Sequence, residues 1–288
     1  MNNVPFEYEP IREDLSSSIL DSRLITPTLG KKYNIKLVEC GGFVQVYFYK
    51  NTKYKKDKSD LELKKIKKKI LNKNNDNENN LNINSIDNKI EMKNIIRSKL
   101  TCQRIAKSNL NIWRTFITLT FEENITDIKI ANKSFSYFID KIRRIKKDFS
   151  YIAIPEFQKR GAVHYHLLTN ISIDDEKLIY LQQDNEKYRH IKYWSNGFTS
   201  VEQLEGDLKK IIGYISKYMT KDIDNRLFGY RRFFYSQNLV IPKSSYVDIN
   251  DEKEYNIFQK KIQDKTLIYH NEYTSPYDDN SVSFLEYN

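Results

Sequence analysis

Two apolar runs separated by a short polar segment place the strongest constraint on how this chain can fold. SYIAIPEF (150–157) and VHYHLL (163–168) are rich in β-formers, and QKRGA lies between them. This pattern predicts two antiparallel strands joined by a tight turn. If five residues form the loop, residues of equal parity pair, so Glu156, His164 and His166 would share one face of the hairpin. The chain has four histidines, and half of them stand in this strand.

Two imidazoles and a carboxylate on one sheet face are a ligand set for a divalent cation that leaves coordination positions open. This set of His164, His166 and Glu156 suits Mg²⁺ or Mn²⁺ at least as well as Zn²⁺, which would often recruit cysteine. Gln158 has the same parity as Glu156 and could be a second-shell residue or an alternative ligand. The alternative is two partly buried histidines bonded to their neighbours. Glu156 and the scarcity of histidine elsewhere favour the metal site.

Strand and helix patterns also flank the hairpin. Alternating β-formers or helical apolar spacing define each of them. They predict a basic helix at 94–108, a strand at 113–121, a helix at 131–148, two strands at 190–194 and 197–204, and a helix at 205–222. This order predicts an α+β domain with a mainly antiparallel central sheet and flanking helices.

The helix predicted for residues 205–222 carries two tyrosines one turn apart. Tyr214 and Tyr218 lie at one edge of its apolar stripe, and Lys217 and Lys221 lie beyond them toward solvent. A phenol with a pKa of about 10 is a poor nucleophile at neutral pH and needs a metal ion and nearby cations. A tyrosine that attacks a phosphodiester would use this helix and the histidine strand together. The chain has 21 tyrosines, so the pair alone is weak support.

Composition divides the chain into four segments. We expect an N-terminal extension with a β-hairpin at 1–50, a flexible insertion rich in lysine and asparagine at 51–93, the domain with the motifs at 94–245, and an acidic tail at 246–288. The insertion has too little apolar content to offset its ordering entropy.

Charge points to a polyanionic partner. Nine acidic and four basic residues from Asp248 onward give that tail −5, which leaves +15 on the rest of a chain whose net charge is +10. A basic body most often binds nucleic acid, although a solvated lysine-rich surface would look the same. Two cysteines without metal-ligand spacing, no apolar run near the ~20 residues of a membrane span and no signal peptide lead us to expect a cytoplasmic protein in a bacterial host.

Three segments in this order resemble the motifs of HUH endonucleases, named for a His-hydrophobic-His strand. They are FITLTF (116–121), EFQKRGAVHYHLL (156–168) and YISKYMTKD (214–222). The likeness is greatest to rolling-circle replication initiators of small bacterial plasmids and single-stranded DNA phages. RRFFYSQNLVIPK (231–243) is similar to a basic aromatic stretch of that group, so the resemblance covers roughly 94–243.

The resemblance implies a ferredoxin-like or RRM-like sheet and an endonuclease that is also a nucleotidyltransferase. A tyrosine would attack single-stranded origin DNA, form a 5′-phosphotyrosyl link and leave a 3′-OH, and the ends would later be joined. It also implies roles for individual residues. These are metal ligation by His164, His166 and Glu156, nucleophilic attack by Tyr218 and then Tyr214, support from Lys217 and Lys221, and DNA binding by Arg160, Arg231, Arg232, Phe233 and Phe234.

Partners and alternatives follow from the same comparison. No G-x-x-x-x-G-K-S/T phosphate loop occurs, so we expect no nucleotide cofactor, and a host helicase and polymerase would act on the DNA. One alternative is a relaxase or single-strand transposase of the same superfamily. Another is a non-enzymatic single-stranded nucleic-acid-binding protein, which would form no covalent adduct and would stack bases on aromatic side chains.

Overall fold

The structure is a computed structural model that describes residues 30–55, 80–182, 185–204, 229–274 and 281–288, with 211, 213, 217 and 225–227 besides. The chain divides into two compact units. One comprises Asp87–Ile241, and the other comprises the described residues before it together with Pro242–Asn288. In the part of the chain that the structure describes, no helix is both long enough and apolar enough to cross a membrane.

The unit of residues 87–241 is built on a five-stranded antiparallel sheet. The strands are β3 (Thr115–Thr120), β4 (Tyr151–Phe157), β5 (Val163–Thr169), β8 (Thr199–Gln203) and β9 (Phe234–Tyr235). Their order across the sheet is β8-β3-β5-β4-β9. A separate two-stranded ribbon pairs β6 (Ile179–Gln182) with β7 (Asn185–Ile191).

Helix α2 (Ile128–Ile145) covers one face of this sheet. It begins where the Asp127 side chain accepts a hydrogen bond from the backbone N–H of Lys129, an N-cap that satisfies one of the free donors of the first turn. Its apolar positions recur at helical spacing and pack in one cluster with the inward side chains of β3, β4 and β5. The cluster includes Phe135, Phe138, Ile139 and Ile142 of the helix and Ile117, Leu119, Ala153, Tyr165 and Leu167 of the sheet.

The opposite face of the sheet packs against helix α1 (Asn80–Ser108), which is longer than the predicted helix. A second apolar cluster joins the two, and the indole of Trp113 donates to the carbonyl of Ala106 at 3.0 Å. The shared members are Cys102, Ile105 and Ala106 of α1 and Phe116, Ile152, Ile154 and Leu168 of the sheet. With helices on both faces of an antiparallel sheet, the predicted α+β class is confirmed.

The second unit contains another five-stranded antiparallel sheet. Its strands are β1 (Lys32–Cys40), β2 (Phe43–Tyr54), β10 (Lys243–Val247), β11 (Leu267–Thr274) and β12 (Ser281–Tyr287). They lie in the order β10-β1-β2-β12-β11. The predicted hairpin around Gly41 and Gly42 is confirmed. Helix α3 (Glu252–Ile262) buries Phe258 against Ile35 and Val46 on one face of this sheet.

This second sheet differs from the division that composition predicts. Strands β1 and β2 lie in the predicted N-terminal extension, whereas α3, β11 and β12 lie in the predicted acidic tail. Both segments contribute to one sheet, because β10 pairs with β1 and β12 pairs with β2. Local composition does not reveal pairing between strands so distant in sequence. Residues 56–79 of the predicted insertion lie outside the described residues.

Candidate active site

Strand pairing brings the predicted metal ligands to one face of the central sheet. A five-residue loop, 158–162, joins β4 to β5, so that Glu156 pairs directly with His164. On the other side of β5, Thr118 of β3 pairs with His166. Directly paired residues project to the same face of an antiparallel sheet. The predicted common face of Glu156, His164 and His166 is therefore confirmed, and the hydroxyl of Thr118 joins it.

His166 is held by contacts on several sides. Its Nε2 lies 2.6 Å from Oε2 of Glu156, and its Nδ1 lies 3.2 Å from the Thr118 hydroxyl. The ring also stacks on Phe116, with centroids 5.9 Å apart and an interplanar angle of 10°. Only 6% of the residue is exposed. A hydrogen bond at one ring nitrogen fixes the direction in which the other nitrogen points, so Nε2 is aimed at the carboxylate.

The three predicted ligands have the chemistry that a hard divalent cation requires, since they offer carboxylate oxygen and imidazole nitrogen. One carboxylate oxygen of Glu156 and Nε2 of His166 already converge. The His164 ring is the neighbour of His166 on the same face, with centroids 6.2 Å apart. Among the described residues, no group of three or more His, Cys, Asp or Glu side chains is arranged as a metal site. Instead, Glu156 bonds directly to His166.

Tyr165, between the two histidines, projects to the opposite face. Its hydroxyl donates to Oδ1 of Asn132 at 2.8 Å, and its ring stacks on Phe135 with centroids 4.4 Å apart. Burial raises the pKa of the Tyr165 phenol well above its ordinary value. This tyrosine therefore anchors the histidine strand to α2 and stays protonated at neutral pH.

The predicted tyrosine helix is described at three positions only. Ile211, Gly213 and Lys217 are helical. Ile211 is buried in the cluster that includes Ile154 and Leu168, which belongs to the histidine-bearing face. Lys217 is exposed. The other predicted residues of this helix, Tyr214, Tyr218 and Lys221, lie outside the described residues.

The hairpin loop ties Arg160 and Gln158 to each other. Nε of Arg160 donates to the Gln158 side-chain oxygen at 2.9 Å, and its guanidinium donates to the carbonyl of Phe121 at 2.6 Å. Gly161 has φ of +95°, a left-handed conformation that glycine adopts without steric cost. Gln158, predicted as a second-shell residue, therefore supports Arg160. Arg160 is exposed beside the histidine hairpin and braces the segment that follows β3.

A cleft of about 630 Å³ lies at the β9 edge of the sheet. Asn94 and Ser98 of α1 line one side, and the segment 229–237, with Arg231, Arg232 and Phe233, lines the other. Within that segment, the rings of Phe233 and Tyr235 stack with centroids 5.7 Å apart and an angle of 25°. An aromatic pair beside two guanidinium groups is an arrangement that binds single-stranded nucleic acid.

Phe234, predicted to bind DNA with Phe233, projects to the other side of β9. Its ring lies 5.7 Å from that of Phe135 in α2, and it packs on the cluster beneath that helix. Strand alternation is the physical reason, since successive side chains of a strand point to opposite faces. Tyr235 takes the place beside Phe233 that we predicted for Phe234.

Comparisons with known proteins agree with the motifs. Residues 114–223 match a family described as "Replication-associated protein ORF2". The "Phasyl DNA replicon protein arp" of Escherichia coli is 29% identical over 127 residues, which cover 38% of this chain and 44% of that protein. The chain thus spans less than half the length of this curated relative. No solved structure matches the chain. The predicted resemblance to replication initiators is confirmed.

Proposed function

We propose that this chain, which carries a replication-associated domain over residues 114–223, is a metal-dependent enzyme that nicks and rejoins single-stranded origin DNA in rolling-circle replication. One observation carries the proposal. Glu156, His164 and His166 share a sheet face with Ile211, and Ile211 begins the described part of the helix predicted to bear the nucleophile. Unwinding and synthesis would come from a host helicase and polymerase.

The reaction exchanges one phosphodiester for another. The phenol oxygen of a tyrosine attacks phosphorus, the bond from phosphorus to the 3′ oxygen breaks, and the leaving oxygen takes up a proton to become a 3′-OH. The 5′ phosphate is then esterified to tyrosine. Attack by a DNA 3′-OH on that ester reverses the step and joins strands. Because neither direction needs an external energy source, no nucleotide cofactor is required.

The residues of the histidine face would supply the electrostatics. His164, His166 and Glu156 would hold Mg²⁺ or Mn²⁺, which when bound polarises a phosphate oxygen. The hydroxyl of Thr118 would keep Nε2 of His166 directed at that position. Lys217, which is helical and exposed, would neutralise charge on the attacked phosphate, and Lys221 one turn later would do the same.

Helical spacing assigns different roles to the tyrosines. Tyr218 follows Ile211 by seven residues, which is close to two turns at 3.6 residues per turn. A continuous helix would therefore carry Tyr218 on the side of buried Ile211, toward the histidine face. Tyr214 would lie about one turn away. We assign the first cut to Tyr218 and a later joining or re-initiation step to Tyr214.

The metal part of the proposal is tested with single-stranded DNA from the same replicon, labelled at its 3′ end. Incubation with Mn²⁺ should give a labelled protein band on a denaturing gel. His164→Ala and His166→Ala should each lose this band while the fold is retained, because each removes one ligand from an incomplete shell. His270→Ala is the matched control, since His270 is exposed in β11. Full adduct formation by the His164→Ala, His166→Ala double variant would refute the metal site.

The nucleophile is tested on the same gel. Tyr218→Phe removes one hydroxyl and should abolish the covalent band while DNA binding persists. Tyr214→Phe should still form the band and should fail in joining. If the two results are exchanged, the roles are reversed. If the double variant still forms the band, the nucleophile lies elsewhere. A wild-type chain that binds DNA but never forms the band would be a non-enzymatic binding protein.

A further inference from the structure

Phe198 is the most exposed large apolar side chain among the described residues. It is 65% exposed and stands between the turn at Asn196-Gly197 and the start of β8. Burying such a side chain would be worth about 1.5–3 kcal/mol, so a fold gains nothing by leaving it in water. An isolated exposed Phe is common, and its position decides whether it has a use.

Phe198 lies beside the histidine strand. Its carbonyl accepts a hydrogen bond from the N–H of Thr120 at 2.8 Å, and Thr120 pairs directly with His164. The next residue, Thr199, is buried and pairs with Leu119 on the α2 side of the sheet. Strand alternation therefore directs Phe198 to the opposite face, which carries the histidines.

The backbone around Phe198 is held firmly. Asn196 accepts a hydrogen bond from the N–H of Glu122 at 2.9 Å. The indole of Trp194 donates to the carbonyl of Thr120 at 3.0 Å. Gly197 lies so close to β3 that a Cβ there would be 2.3 Å from the backbone nitrogen of Glu122. An exposed aromatic ring on a fixed backbone can stack on a ligand with little ordering cost.

We propose that Phe198 is a stacking platform for one nucleobase of the single strand whose phosphate lies at the histidine site. This rests on the proposed function. The ligand group is a base and not a phosphate, because the nearby exposed side chains of Glu122, Glu123 and Glu202 would repel an anion. Stacking on an aromatic face is possible for every base, so the site adds affinity and position without sequence preference.

The Phe198 platform lies across the sheet from the aromatic pair of Phe233 and Tyr235. Phe198 precedes β8 and the pair flanks β9, and these are the two edge strands of the order β8-β3-β5-β4-β9. At about 4.8 Å between neighbouring strands, the edges are about 19 Å apart. A single strand bound at both edges would cross β5, the strand that carries His164 and His166.

The first test measures binding of the full chain to a fluorescently labelled oligothymidylate by anisotropy, with EDTA present so that nicking does not contribute. Phe198→Ala should weaken binding about 5- to 100-fold, and Phe198→Trp should retain it. Tyr137→Ala is the matched control, because Tyr137 is 59% exposed on α2, on the far side of the sheet, and should leave binding unchanged.

The second test asks whether the contact is with a base. An oligomer of the same length made of abasic sites should bind wild type and Phe198→Ala equally. Irradiation of wild type with a 5-iododeoxyuridine oligomer should crosslink the peptide that contains Phe198. Equal loss of binding on both oligomers, or crosslinks confined to the segment 229–237, would overturn the platform.

The platform and the proposed function fail in different ways. If wild type forms the covalent band and Phe198→Ala binds oligothymidylate as tightly as wild type does, the platform is wrong and the nicking function stands. If Phe198→Ala weakens base-dependent binding but wild type never forms the band, the platform stands on a binding protein and the nicking function is wrong.

Discussion

The hydroxyl of Thr118, 3.2 Å from Nδ1 of His166, is the residue-scale contact with the clearest consequence for chemistry. We expect Thr118→Val to lower the rate of adduct formation about 10- to 100-fold, as is usual for partners that orient a metal-binding histidine. The loss should shrink as Mn²⁺ is raised, because the defect lies in ligand orientation. Initial rates measured over a range of Mn²⁺ concentrations check this.

Thr118→Ser is the rescue variant for that prediction, since it keeps the hydroxyl and deletes a methyl group. Its rate should approach that of wild type, with an unchanged melting temperature for both variants. A Thr118→Val enzyme with the wild-type rate and the wild-type Mn²⁺ dependence would remove Thr118 from the site.

Asp248 provides a residue-scale prediction in acid. The backbone N–H of Asn250, at 3.1 Å, and the ammonium of Lys32, at 3.0 Å, hold the pKa of Asp248 below its ordinary value. Because the folded pKa is the lower one, the ionised carboxylate stabilises the fold above about pH 4. That contribution is lost as the pH falls through the lowered pKa.

We therefore expect Asp248→Asn to melt at a lower temperature than wild type at pH 7. The difference should vanish as the pH falls below the lowered pKa of Asp248. Circular dichroism melts at several pH values measure it, and Asp264→Asn, in the turn after α3, serves as the control. A difference in melting temperature that stays constant into acid would show that the pair contributes nothing through ionisation.

Parity along a hairpin was enough to bring Glu156, His164 and His166 to one face from the sequence, because the loop length sets which residues pair. Thr118 was missed, since its place opposite His166 depends on the register between β3 and β5, and their sequences are far apart. Exposed Phe198 gave no signal either, because exposure of one aromatic residue depends on what the rest of the chain covers.

At the scale of elements, the turn before β8 is set by one glycine. A Cβ at Gly197 would lie 2.3 Å from the nitrogen of Glu122 and 2.5 Å from the carbonyl oxygen of Thr120, and both are backbone atoms that cannot move aside cheaply. The φ of +148° adds strain for any other residue. We expect Gly197→Ala to destabilise the unit by about 1–3 kcal/mol, measured by urea denaturation.

Gly213→Ala is the matched control for the turn. Gly213 is helical, and a Cβ there would meet nothing within 4 Å. The same change should raise stability by about 0.5–1 kcal/mol, because alanine loses less backbone entropy in a helix. Similar effects from the two substitutions would show that β3 does not hold the turn.

Elements with a strong local period were predicted well, and those without one were not. Helix α2 and the strands β4 and β5 have apolar positions that repeat at 3.6 or 2 residues. Helix α3 and strand β11 leave most side chains exposed, so their composition is that of a solvated tail. Their order comes from packing and pairing in a sheet whose other strands lie elsewhere in the sequence.

At the scale of the whole molecule, removal of residues 248–288 should do more than subtract negative charge. The segment contains β12, which pairs with β2 on one side and β11 on the other. We expect the truncated chain to expose β1 and β2 to protease within a unit that resists digestion in wild type. Limited proteolysis followed by mass spectrometry measures this.

The charge effect can be separated from the truncation. Glu252→Gln with Asp264→Asn removes negative charge from exposed positions and leaves the strands in place. This variant should stay resistant to protease and bind single-stranded DNA somewhat more tightly at low salt, where charges are least screened. A truncated chain as resistant as wild type would mean that β11 and β12 are dispensable for the sheet.

The sheet formed by β1, β2, β10, β11 and β12 also imposes an order of events on a ribosome. Its first two strands emerge early, yet Gln45 of β2 bonds to Glu286 of β12, 241 residues further along the chain. Residues 87–241 emerge as one uninterrupted stretch and can fold while synthesis continues. The earliest strands must wait, with an open edge, until the last ones arrive. A message cut short would leave that edge exposed to aggregation and proteolysis, so only chains translated nearly to their last residue can complete this unit.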